Sequence, residues 1–191
     1  MKPNVPSCGK KILLTGVSCV GKSTIGRRLA EILEYDFYDL DLELERHFRM
    51  PISRLKAQFI TGSSFRQKAS RVLGRILQEN RDRNLVVALP PSGLRDWYWK
   101  VIKTHGAIVI ALCDTAENIL RRVVFYDDDS NRIEKELDER GKALYLREIR
   151  KDIGYFGRFY RKANFQVELS GAGVAEGAEK VKAALEEYCG K

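Results

Sequence analysis

Long apolar runs are missing from this sequence. The longest, Ala107 to Cys113, is far shorter than the roughly 20 residues that a membrane-spanning helix requires. The first residues, MKPNVPSCGKK, also lack the apolar centre of a signal peptide. We therefore expect a cytoplasmic protein without membrane association.

Metal-ligating side chains are scarce and scattered. The chain has two histidines and four cysteines, and the cysteines form no C-x-x-C pair and have no histidine at zinc-ligand spacing. Structural zinc sites need such closely spaced ligands. The sequence thus gives no support to a zinc-binding class.

Basic residues are abundant, but no tract of five or more occurs. Lysine and arginine number 34 against 26 acidic residues, which gives a net charge of +8. Such an excess attracts anionic partners, whereas dispersed charges are not typical of a nucleic-acid tail. We expect a monomer that binds a small anion rather than nucleic acid.

The apolar content of 44% is enough for one buried core in a single domain spanning residues 1–191. Buried-strand patterns and helical apolar spacings alternate along the chain. The predicted strands are 11–15, 35–39, 85–89, 107–113 and 165–169, and the predicted helices are 22–33, 53–59, 64–78, 97–103, 115–124 and 174–188. This alternation predicts a three-layer α/β fold with a mostly parallel, five-stranded sheet.

Two segments do not fit this alternation clearly. In residues 40–48 the leucines satisfy both the strand and the helix period, so the pattern leaves both open. Residues 125–142 are highly charged and poor in apolar anchors, which predicts a mobile surface excursion or lid.

Residues 16–23, GVSCVGKS, match the phosphate-loop pattern G-x-x-x-x-G-K-[ST] between a predicted strand and a predicted helix. Glycines let backbone N–H groups turn towards phosphate oxygens, and the helix N-terminus adds a positive dipole end. Lys22 would contact the β- and γ-phosphates, and Ser23 would bind Mg²⁺. We expect ATP and Mg²⁺ as cofactors, with the nucleotide bound by Gly16, Val17, Ser18, Cys19, Val20, Gly21, Lys22, Ser23 and Thr24.

The run GKSTIGRRLAEILEYDFYDLDLELE, followed by GSSFR at 62–66, resembles the shikimate kinase family. The resemblance implies a P-loop kinase fold with a mobile lid. It further implies that Asp39 orients the metal, that Asp41 accepts hydrogen bonds from the acceptor hydroxyls, and that Arg66 clamps the acceptor carboxylate.

The residues themselves support this assignment in part. Asp39 and Asp41 follow a predicted strand beside the phosphate loop, where open α/β sheets bind ligands. The alternative is that both acids only cap the next helix. The Arg66 guanidinium suits a carboxylate, although a solvated helix face would also explain an arginine there.

Three more arginines take roles only through the resemblance. Arg122 matches the arginine that stacks on adenine, and Arg132 lies in the region of the lid arginine that closes on the transferred phosphate. Arg158 is our choice for a second acceptor clamp, with Arg147 and Arg150 as alternatives. For each of them an exposed surface charge is the competing interpretation.

The chain departs from the family pattern mainly on the acceptor side. Ala88-Leu89-Pro90-Pro91-Ser92-Gly93 stands in place of three glycines, and proline has no N–H to offer an acceptor. Ser63 and Ala69 replace acidic residues around the arginine, and the lid has Asn131-Arg132-Ile133 in place of R-P-L. The residues expected to bind ATP thus match the family pattern more fully than the residues expected to bind the acceptor.

We therefore expect a kinase that transfers the γ-phosphate of ATP to a hydroxyl of a small carboxylated metabolite. Shikimate is the first choice, which would place the protein in aromatic amino acid biosynthesis, with Lys22, Asp41 and Arg132 as catalytic residues. One alternative is another small-metabolite kinase such as gluconate kinase. A second is a catalytically inactive nucleotide-binding or regulatory protein.

Overall fold

The computed structural model describes residues 10–190. Its elements in chain order are β1 (Lys11–Thr15), α1 (Lys22–Leu33), β2 (Asp36–Asp39), α2 (Leu40–Phe48), α3 (Ile52–Ala57), α4 (Gly62–Glu79), β3 (Leu85–Ala88), α5 (Asp96–Thr104), β4 (Ile108–Cys113), α6 (Ala116–Leu120), β5 (Phe125–Tyr126), β6 (Arg132–Ile133), α7 (Glu139–Tyr160), β7 (Phe165–Glu168) and α8 (Val174–Cys189).

Five of the strands form one parallel sheet in the order β2-β3-β1-β4-β7. The central strands β1 and β3 are almost entirely buried, as expected for a parallel sheet covered by helices on both faces. Helices α1 and α8 pack against each other, and α4 packs against α5. The predicted α/β fold with five strands is confirmed.

The ambiguous segment 40–48 is a helix, α2. Its first turn is stabilised by Asp39, whose Oδ1 accepts hydrogen bonds from the backbone N–H groups of Asp41 and Leu42. A side-chain cap of this kind satisfies helix donors that have no intrahelical partner. The cap and the burial of Leu40 and Leu44 therefore favour the helical period.

The segment predicted as a lid, 125–142, contains the antiparallel pair β5–β6 and then the start of α7. Helix α7 was not predicted, although Ile149, Ile153 and Phe156 have helical spacing and pack on the core. The many charges of its exposed face obscured that stripe. Helix α6 is also shorter than the predicted 115–124, although Thr115 caps it as expected.

Among residues 10–190, no helix is both long enough and apolar enough to span a bilayer.

The main core is a single cluster built on the central strands and helices. Since all five strands run in parallel, their carboxyl ends meet at one edge of the sheet. That edge carries the residues described next.

Candidate active site

The loop between β1 and α1 is shaped by residues with positive φ. Gly16 has φ 146°, and a Cβ there would lie 2.6 Å from the Leu112 carbonyl oxygen. Gly21 precedes α1 with φ 113°. Cys19 has φ 60°, a left-handed conformation that costs a cysteine more than a glycine. The two glycines therefore adopt their backbone conformations at low cost, whereas Cys19 adopts its conformation at a higher cost.

Lys22 lies in the first turn of α1 and folds back over the loop. Its Nζ donates a hydrogen bond of 2.7 Å to the Val17 carbonyl oxygen. Burial lowers the pKa of Lys22 to about 8, against smaller opposing effects of Asp41, Cys19 and Asp39. This cation is therefore held within the phosphate loop and is poorly solvated.

Ser23 and Asp39 bring two oxygen ligands together across the start of α1 and the end of β2. Ser23 Oγ donates a hydrogen bond of 2.5 Å to Asp39 Oδ2, while the other carboxylate oxygen caps α2. A hydroxyl and a carboxylate are the hard oxygen ligands that Mg²⁺ prefers, and Mg²⁺ in nucleotide sites needs few protein ligands. The two residues fit such an ion, and the predicted capping role of Asp39 is present as well.

Asp41 lies in the first turn of α2, and its Oδ1 is buried without a hydrogen-bond partner among residues 10–190. Burial raises the pKa of Asp41, and the positive charge of Lys56 opposes that effect most. Asp41 does not cap the helix. It is a carboxylate whose proton affinity is raised, as suits a general base.

Unsatisfied buried polar atoms concentrate at this edge of the sheet. Within the described chain they are Thr15 Oγ1, Asp41 Oδ1, Arg95 Nε and Tyr98 OH. Thr15 ends β1, Asp41 and Tyr98 lie in the first turns of α2 and α5, and Arg95 immediately precedes α5. Buried polar groups normally have partners, so such a concentration points to a ligand site.

A cavity of about 440 Å³ opens beside the phosphate loop. It combines one residue of the loop, residues of α3, α4 and α7, and the segment after β3. Its lining consists of Ser18, Lys56, Phe59, Thr61, Gly62, Phe65, Arg66, Pro90, Pro91, Ser92, Asp152 and Phe156. A mostly apolar pocket with a few charged groups is typical of a small-molecule site.

Pro90 and Pro91 form part of the cavity wall, and their carbonyl groups are already engaged. The Pro90 oxygen accepts a hydrogen bond from the Gly93 N–H, and the Pro91 oxygen accepts one from the Tyr160 hydroxyl. A ligand therefore meets pyrrolidine rings here, and polar contact in this segment falls to Ser92.

Arg66 lies in the cavity wall with only 11% of its side chain exposed. Its Nε and Nη2 both donate to Asp96 Oδ2, at 3.1 and 2.8 Å. The sequence interpretation did not include this partner.

Arg122 connects the phosphate loop with the segment before α8. It donates to the carbonyl oxygens of Val20 and Ala172 and forms a 2.8 Å ion pair with the buried Asp114 carboxylate. The guanidinium is thus fixed beside the loop on the side of β4, away from the cavity lining.

Arg132 lies exposed on β6, opposite Tyr126 of β5. The turn between these strands rests on α3 and its neighbours. Ser53 Oγ donates to the Asp128 carbonyl oxygen, Arg54 pairs with Asp129, and Ser130 Oγ donates to Glu45 Oε1. The predicted lid segment is therefore held against α2 and α3, and α3 contributes Lys56 to the cavity wall.

Arg158 lies on the exposed face of α7, with its guanidinium 4.7 and 4.8 Å from the ring centres of Tyr155 and Phe159. Arg158 is not among the cavity-lining residues. Arg95 reaches the same two rings and donates a 2.6 Å hydrogen bond to the Tyr155 hydroxyl. Arg95 also lies 3.9 Å from Asp96 Oδ2.

The sequence interpretation gave no committed site role to several residues of this edge, namely Lys56, Arg95, Asp96, Tyr98, Asp152 and Phe156. Lys56 and Asp152 are single charges among many, so no sequence signal sets them apart. Asp96 has φ 42°, which the sequence does not reveal. The structure alone brings these side chains together.

The family-model comparison and the comparison with curated proteins both give shikimate kinases. The family model described as shikimate kinase matches residues 18–183. A shikimate kinase of Chlorobium phaeobacteroides is 31% identical over 185 residues, covering 93% of this chain and 87% of that protein.

Solved structures resemble the whole fold. A shikimate kinase from Bacteroides thetaiotaomicron has a TM-score of 0.75 at 18% identity and covers 92% of this chain and 98% of its own. One from Acinetobacter baumannii, solved in complex with shikimate, has a TM-score of 0.71 at 24% identity, covering 95% of each chain. A gluconokinase from Sinorhizobium meliloti has a TM-score of 0.60 at 18% identity, covering 97% of this chain and 95% of its own. The predicted P-loop kinase fold is confirmed.

Proposed function

The chain belongs to the shikimate kinase family, whose members are small-molecule kinases that use ATP, and from that membership we propose that it phosphorylates shikimate to shikimate 3-phosphate. The reaction is a step of aromatic amino acid biosynthesis. The observation that carries the proposal is the 440 Å³ cavity, whose lining runs from Ser18 of the phosphate loop to Arg66. An acceptor in this cavity would lie next to the end of a bound triphosphate.

The proposed reaction is a direct in-line transfer. The acceptor oxygen forms a bond to the γ-phosphorus while the bond to the ADP oxygen breaks, and the hydroxyl proton passes to Asp41. Lys22 and Arg132 offset the charge that spreads over the transferred group. When Mg²⁺ is bound by Ser23 and Asp39, it supplies further positive charge to the phosphates.

The nucleotide would be held by residues 16–24 and by Arg122, which we propose as the contact of the adenine ring. The hydrogen bonds of Arg122 to Val20 and Ala172 and its ion pair with Asp114 hold its guanidinium plane in a fixed orientation beside the loop. A fixed, planar cation suits stacking on an aromatic base.

On the acceptor side, Arg66 is the proposed contact of the carboxylate, and Asp41 that of the reacting hydroxyl. For the second arginine that would contact the acceptor, Arg158 remains the candidate predicted from the sequence. Arg95 competes with it, because its Nε is buried without a partner in the described chain and its Nη2 approaches Asp96. We also propose that the enzyme is a single-domain, cytoplasmic monomer.

A second candidate is a sugar-acid kinase such as gluconate kinase. The similarity to the gluconokinase of Sinorhizobium meliloti favours it. A catalytically inactive nucleotide-binding protein is the third candidate, favoured by Pro90 and Pro91 in place of an acceptor-binding glycine segment.

An acceptor panel tests these three functions. With MgATP present, ADP release should depend on shikimate and should exceed release with glucose by at least about ten-fold, because glucose has no carboxylate for Arg66 to bind. Release with gluconate, which is also a hydroxy acid, should be lower than with shikimate because the chain belongs to the shikimate kinase family. Turnover with gluconate alone would favour the second candidate. Binding of MgATP without acceptor-dependent ADP release would contradict the kinase proposal.

MgATP affinity should depend on pH through Lys22. Since burial lowers the pKa of Lys22 in the free protein to about 8, the lysine is charged below that pH and neutral above it. The triphosphate favours the charged form, so binding above pH 8 must take up a proton. The dissociation constant measured by calorimetry should be nearly constant from pH 7 to 8 and then rise by up to about ten-fold per pH unit.

The control for this dependence is Lys22→Arg, which stays charged throughout the range. Its affinity is expected to be weaker but independent of pH between 7 and 9. A similar rise in both proteins would assign the pH dependence to another group.

A further inference from the structure

The Arg66 guanidinium is held by an acid from another helix. Arg66 belongs to α4, whose residues from Gly62 to Gln78 include no aspartate or glutamate. Its partner Asp96 is the first residue of α5 and accepts from both Nε and Nη2 through Oδ2. The pair therefore fixes an arginine that its own helix leaves without an acidic neighbour.

The hydrogen bonds occupy one side of the guanidinium. A guanidinium has a side edge, formed by Nε and Nη2, and an end formed by Nη1 and Nη2, and each can bind a carboxylate. Asp96 takes the side edge. Within residues 10–190 no hydrogen bond from Nη1 is formed, so the end of the group is left for a ligand.

Gly62 keeps space open at that end. A Cβ on Gly62 would lie 3.0 Å from Arg66 Nη1, tighter than an ordinary contact. Gly62 and Arg66 both line the 440 Å³ cavity. The free end of the guanidinium therefore borders the cavity in which the acceptor is proposed to bind.

We propose that Asp96 is a positioning residue for acceptor binding: it holds the side edge of Arg66 so that the free Nη1–Nη2 end meets the carboxylate of the acceptor. This inference rests on the proposed function, since it requires a carboxylated acceptor in the cavity. The backbone of Asp96 supports a specific role, because its φ of 42° is costly for a residue with a side chain.

Two other roles for Asp96 lead to different results. If Asp96 competed with the acceptor carboxylate for Arg66, its removal would lower the acceptor KM. If Asp96 only stabilised the N-terminus of α5 through the helix dipole, its removal would change the thermal stability and not the acceptor KM.

The test is Asp96→Asn, because asparagine tolerates positive φ and keeps one acceptor oxygen while the charge is removed. The KM for shikimate is expected to rise by about ten-fold or more, since a loosely held guanidinium loses its alignment. The kcat and the KM for ATP should stay within about two-fold. With shikimate methyl ester, which lacks the charge, wild type and variant should differ little.

A double variant shows whether Asp96 acts through Arg66. In an Arg66→Ala background, Asp96→Asn should cause no further rise in the KM for shikimate. An unchanged or lower KM in the single variant, or an equal effect on the ester, would overturn the proposal.

Should Asp96→Asn fail to fold, as judged by its thermal transition and MgATP binding, Gly62→Ala tests the same geometry with the Arg66–Asp96 pair intact. Its added methyl group meets Nη1, so the KM for shikimate is again expected to rise, and an unchanged KM would contradict the assigned free end.

Failure of the proposed function is recognised separately, since the wild type would then show no turnover with shikimate. The pair itself is tested in wild type by the Arg66 Nε–H resonance, which should exchange slowly with solvent; fast exchange would contradict the pair.

Discussion

Replacing Lys22 with alanine is expected to lower kcat/KM for MgATP-dependent phosphoryl transfer by about a thousand-fold or more. Lys22 is the charged side chain held within the phosphate loop, at 2.7 Å from the Val17 carbonyl oxygen. A preorganised cation beside the transferred phosphate acts where water is excluded, and removing such a group costs about 10²- to 10⁵-fold in related chemistry. ADP release with saturating shikimate measures the effect.

The loss should not come from unfolding. Burial lowers the pKa of Lys22 from 10.5 to about 8 in the native state. The buried charge therefore destabilises the native state most below about pH 8, and the free energy of unfolding rises as the pH increases from 8 to 10.5. Lys22→Ala is therefore expected to unfold at the same temperature as wild type at pH 7, or at a higher one. Lys182→Ala, on the surface of α8, is the control and should keep full activity.

A residual activity above about one tenth of wild type in Lys22→Ala would contradict the role of Lys22. It would mean that the phosphates are neutralised chiefly by other groups, with Arg132 as the first to be examined.

The second large effect is expected for Asp41→Asn, which should lower kcat by about 10²- to 10⁴-fold, the range typical of general bases. The substitution keeps the shape of the side chain but removes its ability to accept the hydroxyl proton. The KM for ATP should change little, because the proposed nucleotide contacts, residues 16–24 and Arg122, do not include Asp41. Steady-state kinetics with shikimate distinguish these two parameters.

Asp41→Asn should also stabilise the fold at pH 7. The buried Oδ1 has no partner in the described chain, and burial raises the pKa of Asp41. An acid whose pKa is raised in the native state lowers the free energy of unfolding at pH values above that pKa. This destabilisation disappears as the pH falls towards the pKa of the same acid in the unfolded chain. A higher unfolding temperature together with lost turnover would identify a residue kept for function at the expense of stability.

Glu43→Gln is the matched control, since Glu43 lies in the same first turn of α2 but pairs with Arg46 at 2.5 Å. Its kcat should stay within about two-fold of wild type. If Asp41→Asn behaved like Glu43→Gln, Asp41 would be a structural residue and the base would have to be sought elsewhere, first at Asp152 in the cavity wall.

The phosphate loop shows how far a local pattern can be interpreted. Its glycines and Lys22 were predicted from spacing alone, and the observed φ values of Gly16 and Gly21 give the reason for both glycines. The same pattern could not show that Cys19 also has a positive φ, because the backbone conformation there depends on the closure of the whole loop.

The failures of the sequence interpretation have one common origin. Segment 40–48 carries two apolar periods at once, and its helical state depends on the Asp39 cap and on the burial of Leu40 and Leu44. Helix α7 is long but has a narrow apolar stripe that packs on distant elements. In both cases contacts outside the segment decide the conformation, so propensity and period are insufficient.

The sequence by itself determined the number of main strands, the parallel α/β arrangement and the position of the phosphate loop, because these depend on side-chain period, glycine positions and local spacing. Only the tertiary structure decided that Asp96 holds Arg66 across 30 residues of chain, that Pro90 and Pro91 form a wall of the cavity, and that the lid segment rests on α3. Such contacts join residues far apart in sequence, and their partners are selected by the packing of whole helices on the sheet. A local pattern does not contain that information.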